Sequence, residues 1–309
     1  MKNLSIIIPF YGNPDDTLEL ISQLQAQTIA DELEIIVSDD CSPHPFPETE
    51  GVRVLRRESN GGFGANVNTG VSQAEGKWLF ILNSDLSLPE DFLERAIEVA
   101  ESFGDVVLAP QVLGHDGKSQ MVGRKFPRTR HIVWEWLSPL ARIRHTDFWH
   151  FMVGHDLRCK PGKTVEVDWV MGACMVMRLD TFKRIGGMDE RYFMNSEEVD
   201  LQRRLAERGT PRIFAGELTV NHIGGASSGD ELRRRQWVLN SRFIYADKWN
   251  TSKHLGLALR VATYINYGFN KIRSVRNPEV TPEETKRLEL EAIKNAEAKA
   301  GSVHAQYGF

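Results

Sequence analysis

The chain has 309 residues, 41% of them hydrophobic and 26% charged, which is enough to bury the core of one large α/β domain with an appendage. A net charge of −4 excludes a general nucleic-acid binder, so any basic surface must be local. Three cysteines, Cys41, Cys159 and Cys174, form no Cys-x-x-Cys pair and argue for a reducing cytoplasm, against structural zinc and against a disulfide framework. The apolar stretch before Pro9 is shorter than a signal peptide needs, and no run reaches the roughly 18 apolar residues of a membrane span.

Residues 4–8 read as a strand ending at Pro9, and the Tyr-Gly-Asn-Pro-Asp-Asp turn that follows opens a helix over 16–27. Residues 33–37 repeat the pattern and end in Ser38, Asp39, Asp40, Cys41 and Ser42. A third strand over 52–56 runs into Asn-Gly-Gly-Phe-Gly-Ala-Asn-Val-Asn-Thr-Gly (60–70), with a helix expected to follow to residue 74. Strands alternating with helices imply a parallel sheet with right-handed crossovers. The glycines make no dinucleotide fingerprint, because Val67 stands at the third glycine position and the stretch follows the third strand. Gly162-Lys163-Thr164 likewise fails as a phosphate loop, with Leu157 at the first glycine position. The glycines of 60–70 serve either close approach to a ligand or a tight turn.

Residues 78–82 fit a strand buried on both faces, and they deliver Asn83, Ser84 and Asp85 at the carboxyl end, where open α/β sheets bind ligands. Asp85 either holds a divalent cation on a diphosphate or caps the helix opened by Pro89-Glu90-Asp91. A helix over 90–103 and a strand over 106–109 follow. From 111 to 165 regularity falls away. Between Arg124 and His145, six Lys or Arg accompany the single acid Glu135, interleaved with Trp134, Trp136, Leu137 and Leu140. This is either a packed insertion with solvated charges or an acceptor subsite or membrane-facing patch.

Residues 167–177 return to a buried apolar pattern, in which Gly172 marks close approach of the backbone to a neighbour. A short helix over 178–185 is closed by Gly186 and Gly187, and the next helix begins with Glu197, Glu198 and Asp200. Acids in a first turn stabilise a helix through its dipole. That effect does not account for all of these acids together with Glu190, beside a Tyr-Phe-Met stretch that reads as a pocket wall. A strand over 213–220 delivers His222 just before the loop 223–229, where a second ligand for an Asp85 cation would stand.

Leu255, Leu259, Ala262, Ile265, Phe269 and Ile272 fall at helical spacing and make one apolar face, and five Lys or Arg with no acid lie between Thr251 and Arg276. The segment is either a helix packed on the catalytic domain or an interfacial helix on anionic lipid. A last helix starts at Thr281 as cap, with Pro282 first and Glu284 completing a capping box, and offers a surface for self-association into a homo-oligomer. The expected division is a domain over 1–250, with 111–165 as an irregular acceptor-side insertion, and a helical appendage over 251–309.

Taken together, eight stretches resemble the inverting family 2 glycosyltransferases of the GT-A fold, and most of all their bacterial rhamnosyltransferase-type members. They are Ser-Ile-Ile-Ile-Pro-Phe-Tyr (5–11), Ile-Ile-Val-Ser-Asp-Asp-Cys-Ser (35–42), the glycine stretch (60–70), Leu-Asn-Ser-Asp (82–85), Gly-Ala-Cys-Met (172–175), Gly-Gly-Met-Asp-Glu-Arg-Tyr-Phe (186–193), Glu-Glu-Val-Asp-Leu (197–201) and His-Ile-Gly-Gly-Ala-Ser (222–227). The resemblance implies a mixed, mostly parallel sheet flanked by helices. It implies a donor site of Pro9, Tyr11, Asp40, Phe63, Gly64, Asn68, Asn83, Ser84 and Asp85, with Pro9 and Asp40 facing the base and Asn68 under the ribose and phosphates. Asp85, the last acid of an Asp-x-Asp motif whose first acid is here Asn83, and His222 are the implied ligands of Mg²⁺ or Mn²⁺. Trp169, Gly172 and Glu197 fall to the acceptor side.

Glu198 is the implied base, standing where family members often carry Asp. The implied reaction transfers L-rhamnose from dTDP-rhamnose to a hydroxyl of a cell-envelope glycan or a polyprenyl-diphosphate-linked acceptor, by an enzyme that is cytoplasmic or peripheral on the inner face of the membrane. Another donor, such as UDP-galactofuranose or a UDP-hexose, a catalytically silent sugar-nucleotide binder and a nucleotidyltransferase are the alternatives.

Overall fold

A computed structural model describes residues 3–222, 231–250 and 254–307. In chain order the first part holds β1 (Leu4–Phe10), α1 (Asp15–Gln25), β2 (Leu33–Asp39), β3 (Val52–Arg56), α2 (Phe63–Val71), β4 (Trp78–Leu82), β5 (Leu86–Ser87), α3 (Phe92–Phe103), β6 (Val107–Leu113) and β7 (Gly123–Arg124). Then come α4 (Thr129–Trp136), α5 (Asp147–Met152), β8 (Thr164–Glu166), β9 (Trp169–Val170), β10 (Cys174–Arg178), α6 (Leu179–Arg184), α7 (Glu197–Ala206), β11 (Arg212–His222), α8 (Glu231–Lys248), α9 (Leu255–Ser274) and α10 (Pro282–Tyr307). The chain divides into two compact units, Met1–Lys125 with Arg158–Gly229, and Phe126–Leu157 with Asp230–Phe309.

The first unit is built on one sheet in the order β3-β2-β1-β4-β10-β6-β11-β5, with β8 paired to β11. β1 to β4 run parallel, β10 runs antiparallel between β4 and β6, and β11 returns parallel to β6. The carboxyl ends of β1, β2, β4, β6 and β11 therefore share one edge of the sheet with the amino end of β10. All five residues of β4 are buried, as its unbroken apolar run requires. β1 and β6 continue through Pro9 and Pro110, where the sequence had suggested a stop. Each proline falls where a neighbour has ceased to pair, since β4 reaches only to Ile7 and β10 meets β6 only at Leu108, so its missing N–H costs no ladder bond.

Two elements differ from expectation in ways that matter for the site. The glycine stretch is itself α2, rather than a loop preceding a helix, because its small residues let the helix press onto the sheet. A Cβ on Gly70 would lie 2.6 Å from Ile7 Cγ2. β5 follows Asp85 directly and pairs antiparallel with the end of β11, Leu86 opposite His222, so α3 starts only at Phe92. β11 runs on to pair with β5 past a bulge of three residues, Gly216 to Leu218, between Ala215 and Thr219, which pair with the consecutive Pro110 and Gln111.

The second unit gathers α4 and α5 with the three carboxyl-terminal helices, so part of the 111–165 stretch is helical and packs with α9, while β7 and β8 belong to the first unit. The sequence boundary at 250 falls beyond α8, which packs on α10. The apolar face expected on α9 is only partly the buried one. Leu255, Leu259 and Ala262 are buried, whereas Ile265 and Ile272 are 52% and 73% exposed. Thr263, Asn266 and Asn270 face inward in their place, and the first two meet polar partners there: Trp136 Nε1 donates to Thr263 Oγ1 (2.9 Å), and Asn266 accepts from Ser138 N and donates to the Trp136 carbonyl. Among the described residues, no helix is long and apolar enough to cross a membrane, and no disulfide involves any of the three cysteines.

Candidate active site

The shared strand edge collects most of the expected residues. β4 ends at Leu82, and the chain then turns so that Asn83 N donates to Ala173 O (2.8 Å) at the start of β10. The β5–β11 pairing brings together side chains 137 positions apart: Asp85 Oδ1 lies 3.0 Å from His222 Nε2, with Asn83 Nδ2 at 3.3 Å from the same nitrogen. Both side chains are about 15% exposed, enclosed yet reachable. On the far side of the ring, Gln120 Oε1 is 2.9 Å from His222 Nδ1. Among the described residues, no three of His, Cys, Asp and Glu converge as a metal cage. One carboxylate and one imidazole instead make an incomplete donor set, which suits a hard cation that takes its remaining ligands from water and substrate phosphates. The loop 223–229 lies outside the described residues.

α7 carries the second cluster. It is entered through Asn195 and Ser196, two consecutive non-glycine residues at φ 64° and 77°, a backbone costly enough to mark a constrained position. Glu197 and Glu198 follow, almost wholly buried. Burial raises Glu197 well above the ordinary carboxylate range, and the neighbouring Glu198 charge adds to this. Burial also raises Glu198, against the pull of backbone N–H groups at the helix start and of the Arg124 guanidinium. The two carboxylates therefore titrate as one coupled pair, with Glu197 the more strongly raised of the two. One oxygen of each, Oε2, is buried with no hydrogen-bond partner. Gly172 makes room for Glu198, since a Cβ there would lie 3.3 Å from Glu198 Cγ, and Gly64 does the same for Glu197. Glu198 thus lies beside Gly172, next to Ala173, whose carbonyl accepts from Asn83 N two residues before Asp85.

The expected nucleotide side is organised more by internal bonds than the sequence suggested. Asp40 Oδ1 accepts from Gly61 N (2.9 Å) and pairs with Arg57 (2.9 Å), and Oδ2 accepts from Gly62 N (2.8 Å). Its carboxylate thus holds the entry to α2, where Gly62, at φ 86°, lies so close to the Phe193 carbonyl that a Cβ would overlap it. Asn68 is clasped to the 187–190 turn, accepting from Met188 N (2.9 Å) and donating to Met188 O (2.8 Å) and Glu190 (2.9 Å). Phe63 N donates to Phe193 O, so α2 is pinned to the turn before α7. Tyr11 is half exposed beyond β1, while Pro9, Phe63 and Ser84 are partly buried. Trp169 is nearly buried, donating from Nε1 to Lys125 O (2.9 Å) with Arg124 stacked on its ring. Gln120 and Arg124, which link the two clusters, carry no sequence signal: each becomes visible only through its partners.

The family model described as "Glycosyl transferase family 2" matches residues 5–157. An N-acetylglucosaminyl-diphospho-decaprenol L-rhamnosyltransferase of Mycobacterium tuberculosis is 24% identical over 216 residues, covering 63% of this chain and 68% of that protein. Rhamnosyltransferase WbbL of Escherichia coli is 26% identical over 285 residues, covering 88% of this chain and 99% of its own length. Among solved structures, GalNAc-T7 crystallised with UDP, GalNAc and Mn²⁺ superposes with a TM-score of 0.56 at 14% identity; 99% of this chain is covered, and it spans 58% of that one. Fold, motif residues on one strand edge and these matches agree, and the chain belongs to glycosyl transferase family 2 and is a glycosyltransferase.

Proposed function

We propose that the enzyme transfers L-rhamnose from dTDP-rhamnose, with inversion, to a hydroxyl of an envelope glycan or a polyprenyl-diphosphate-linked acceptor. The observation that carries the reading is the pairing of Asp85 with His222 on the same edge as Glu198, whose buried oxygen has no partner. Asp85 and His222 would hold Mg²⁺ or Mn²⁺, which when bound supplies positive charge beside the leaving diphosphate. Glu198 accepts the proton of the acceptor hydroxyl as its oxygen forms the new bond to the anomeric carbon. The bond from that carbon to the diphosphate oxygen breaks on the opposite face, releasing the nucleoside diphosphate. A second flanking carboxylate of the glycosidase kind is not needed.

The donor sugar and the lipid-linked acceptor rest on the two rhamnosyltransferase relatives. A peripheral position on an anionic membrane surface is supported by the outward face of α9, where Leu257, Val261, Tyr264, Ile265 and Ile272 are exposed on a helix without a single acid, with exposed Val275 just past its end. The test is release of dTDP from dTDP-rhamnose with and without Mn²⁺, alongside UDP-galactofuranose and UDP-hexoses. Turnover with the first donor that Glu198→Gln abolishes while donor binding persists supports the reading. Turnover only with a UDP-sugar reassigns the donor, and binding without turnover for any of them leaves a silent sugar-nucleotide binder.

A further inference from the structure

Gln120 lies in the turn after β6, its own N–H bonded to Val112 O (2.9 Å). Its amide meets His222 twice: Nε2 donates to the His222 carbonyl (3.4 Å), and Oε1 lies 2.9 Å from Nδ1 of the ring. A carbonyl only accepts, so the NH₂ end of the amide must face it and the oxygen end must face the ring. That oxygen also only accepts, so Nδ1 must carry a hydrogen. In the neutral ring the lone pair then sits on Nε2, the nitrogen that faces Asp85 Oδ1 at 3.0 Å.

The clasp is itself held still. Met121 is a non-glycine residue at φ 53°, its N–H bonded to Ser119 Oγ, and Arg124 donates to the carbonyls of both Gln120 and Met121 while its guanidinium lies over Trp169. Gln120 therefore acts from a fixed backbone rather than from a free loop.

We infer that Gln120 is a positioning residue: by holding His222 as its Nδ1–H tautomer and fixing the ring plane, it aims Nε2 to share a divalent cation with Asp85. This rests on the metal reading given under Proposed function. Partners that orient a ligating imidazole typically matter about 10–100-fold in metal affinity. Mn²⁺ binding, measured by titration calorimetry and by electron paramagnetic resonance with dTDP or UDP present, is expected to weaken about 10–100-fold in Gln120→Leu and to return to within a few-fold of wild type in Gln120→Glu, which restores the acceptor. Nitrogen-15 spectra of wild type should show His222 protonated at Nδ1, and those of Gln120→Leu a mixture of tautomers. Wild-type Mn²⁺ affinity in Gln120→Leu, or an unprotonated Nδ1 in wild type, overturns the role of Gln120 and leaves the metal reading standing. Wild-type protein that binds no Mn²⁺ overturns both. Loss of Mn²⁺ binding in Gln120→Glu as well as Gln120→Leu counts against positioning, since shape alone would then be the cause.

Discussion

Two carboxylates buried side by side at the start of α7 resist carrying two charges, and the difference between their surroundings assigns them separate tasks. Because the base must be ionised, transfer activity is expected to rise with pH through the raised apparent value of the pair, above the ordinary carboxylate value of 4.5, as a pH profile of kcat would show. Glu198→Gln should lower kcat by about 10²–10⁴-fold with donor affinity unchanged. Glu197→Gln should change kcat by less than about tenfold, because Gln resembles the protonated acid that burial favours at Glu197.

The same shifts bear on stability. Both groups are raised in the folded state, so their favourable contribution is complete below the unfolded value near 4.5 and is lost as pH rises through the folded values. Glu197→Gln should accordingly leave Tm unchanged near about pH 4 and raise it by at least about 2 °C near about pH 8, measured by thermal melting. The acids, Asp85 and His222 were legible in the sequence because they sit at strand ends and helix starts in a family pattern. What Asp40 and Asn68 hold was not, since their hydrogen bonds go to backbone at positions 61–62 and 188, which spacing does not reveal.

At the scale of the element, β3 and β4 match the bounds read from the sequence, β4 because a buried strand announces itself as an apolar run and β3, a half-exposed edge strand, because its Val-Arg-Val alternation lies between turns. β5 does not, since two residues become a strand only through partners at 221 and 222. In α2 the glycines are part of the packing, and Gly70→Ala is expected to destabilise the protein by about 1–3 kcal/mol in denaturant unfolding, because the new methyl meets Ile7 Cγ2. α9 shows why an apolar period alone does not choose the inward face. Trp136 and Ser138, more than 120 positions earlier, reward Thr263 and Asn266 for turning in, and Ile265 and Ile272 are left outside. That outer stripe should bind vesicles containing anionic lipid at low salt, and Ile272→Glu with Val275→Glu should weaken co-sedimentation at least about tenfold without changing Tm. No sedimentation with anionic vesicles at low salt would remove the case for a membrane contact.

Over the whole molecule, the second unit is assembled from segments that the first unit separates along the chain. Ending the chain at residue 250, where composition suggested a boundary, would remove α9 and α10 and with them the acceptor of Trp136 Nε1 and the partner of the Ser138 amide. In that truncation, amides of 129–136 are expected to lose hydrogen-exchange protection while those of β1, β2 and β4 keep theirs. A parallel sheet with its ligand edge could be foreseen from alternating strands and helices. The return of β10 against the direction of its neighbours and the joining of two distant stretches in one unit could not, because both are decided by contacts between residues far apart in sequence.

The three residues that bulge from β11 set which way the histidine at its end points. Side chains along a strand alternate between its two surfaces, so one residue added within 216–218, with three residues still bulging and the β6 partners in place, would move everything downstream on by one position and shift its parity. Asn221 would then stand where His222 now meets Asp85 and His222 would face the other way, turning an acid–imidazole pair into an acid–amide one without any change in what the chain is made of near the edge. A length change of a single residue, several positions before the strand tip, would thus rewrite its chemistry.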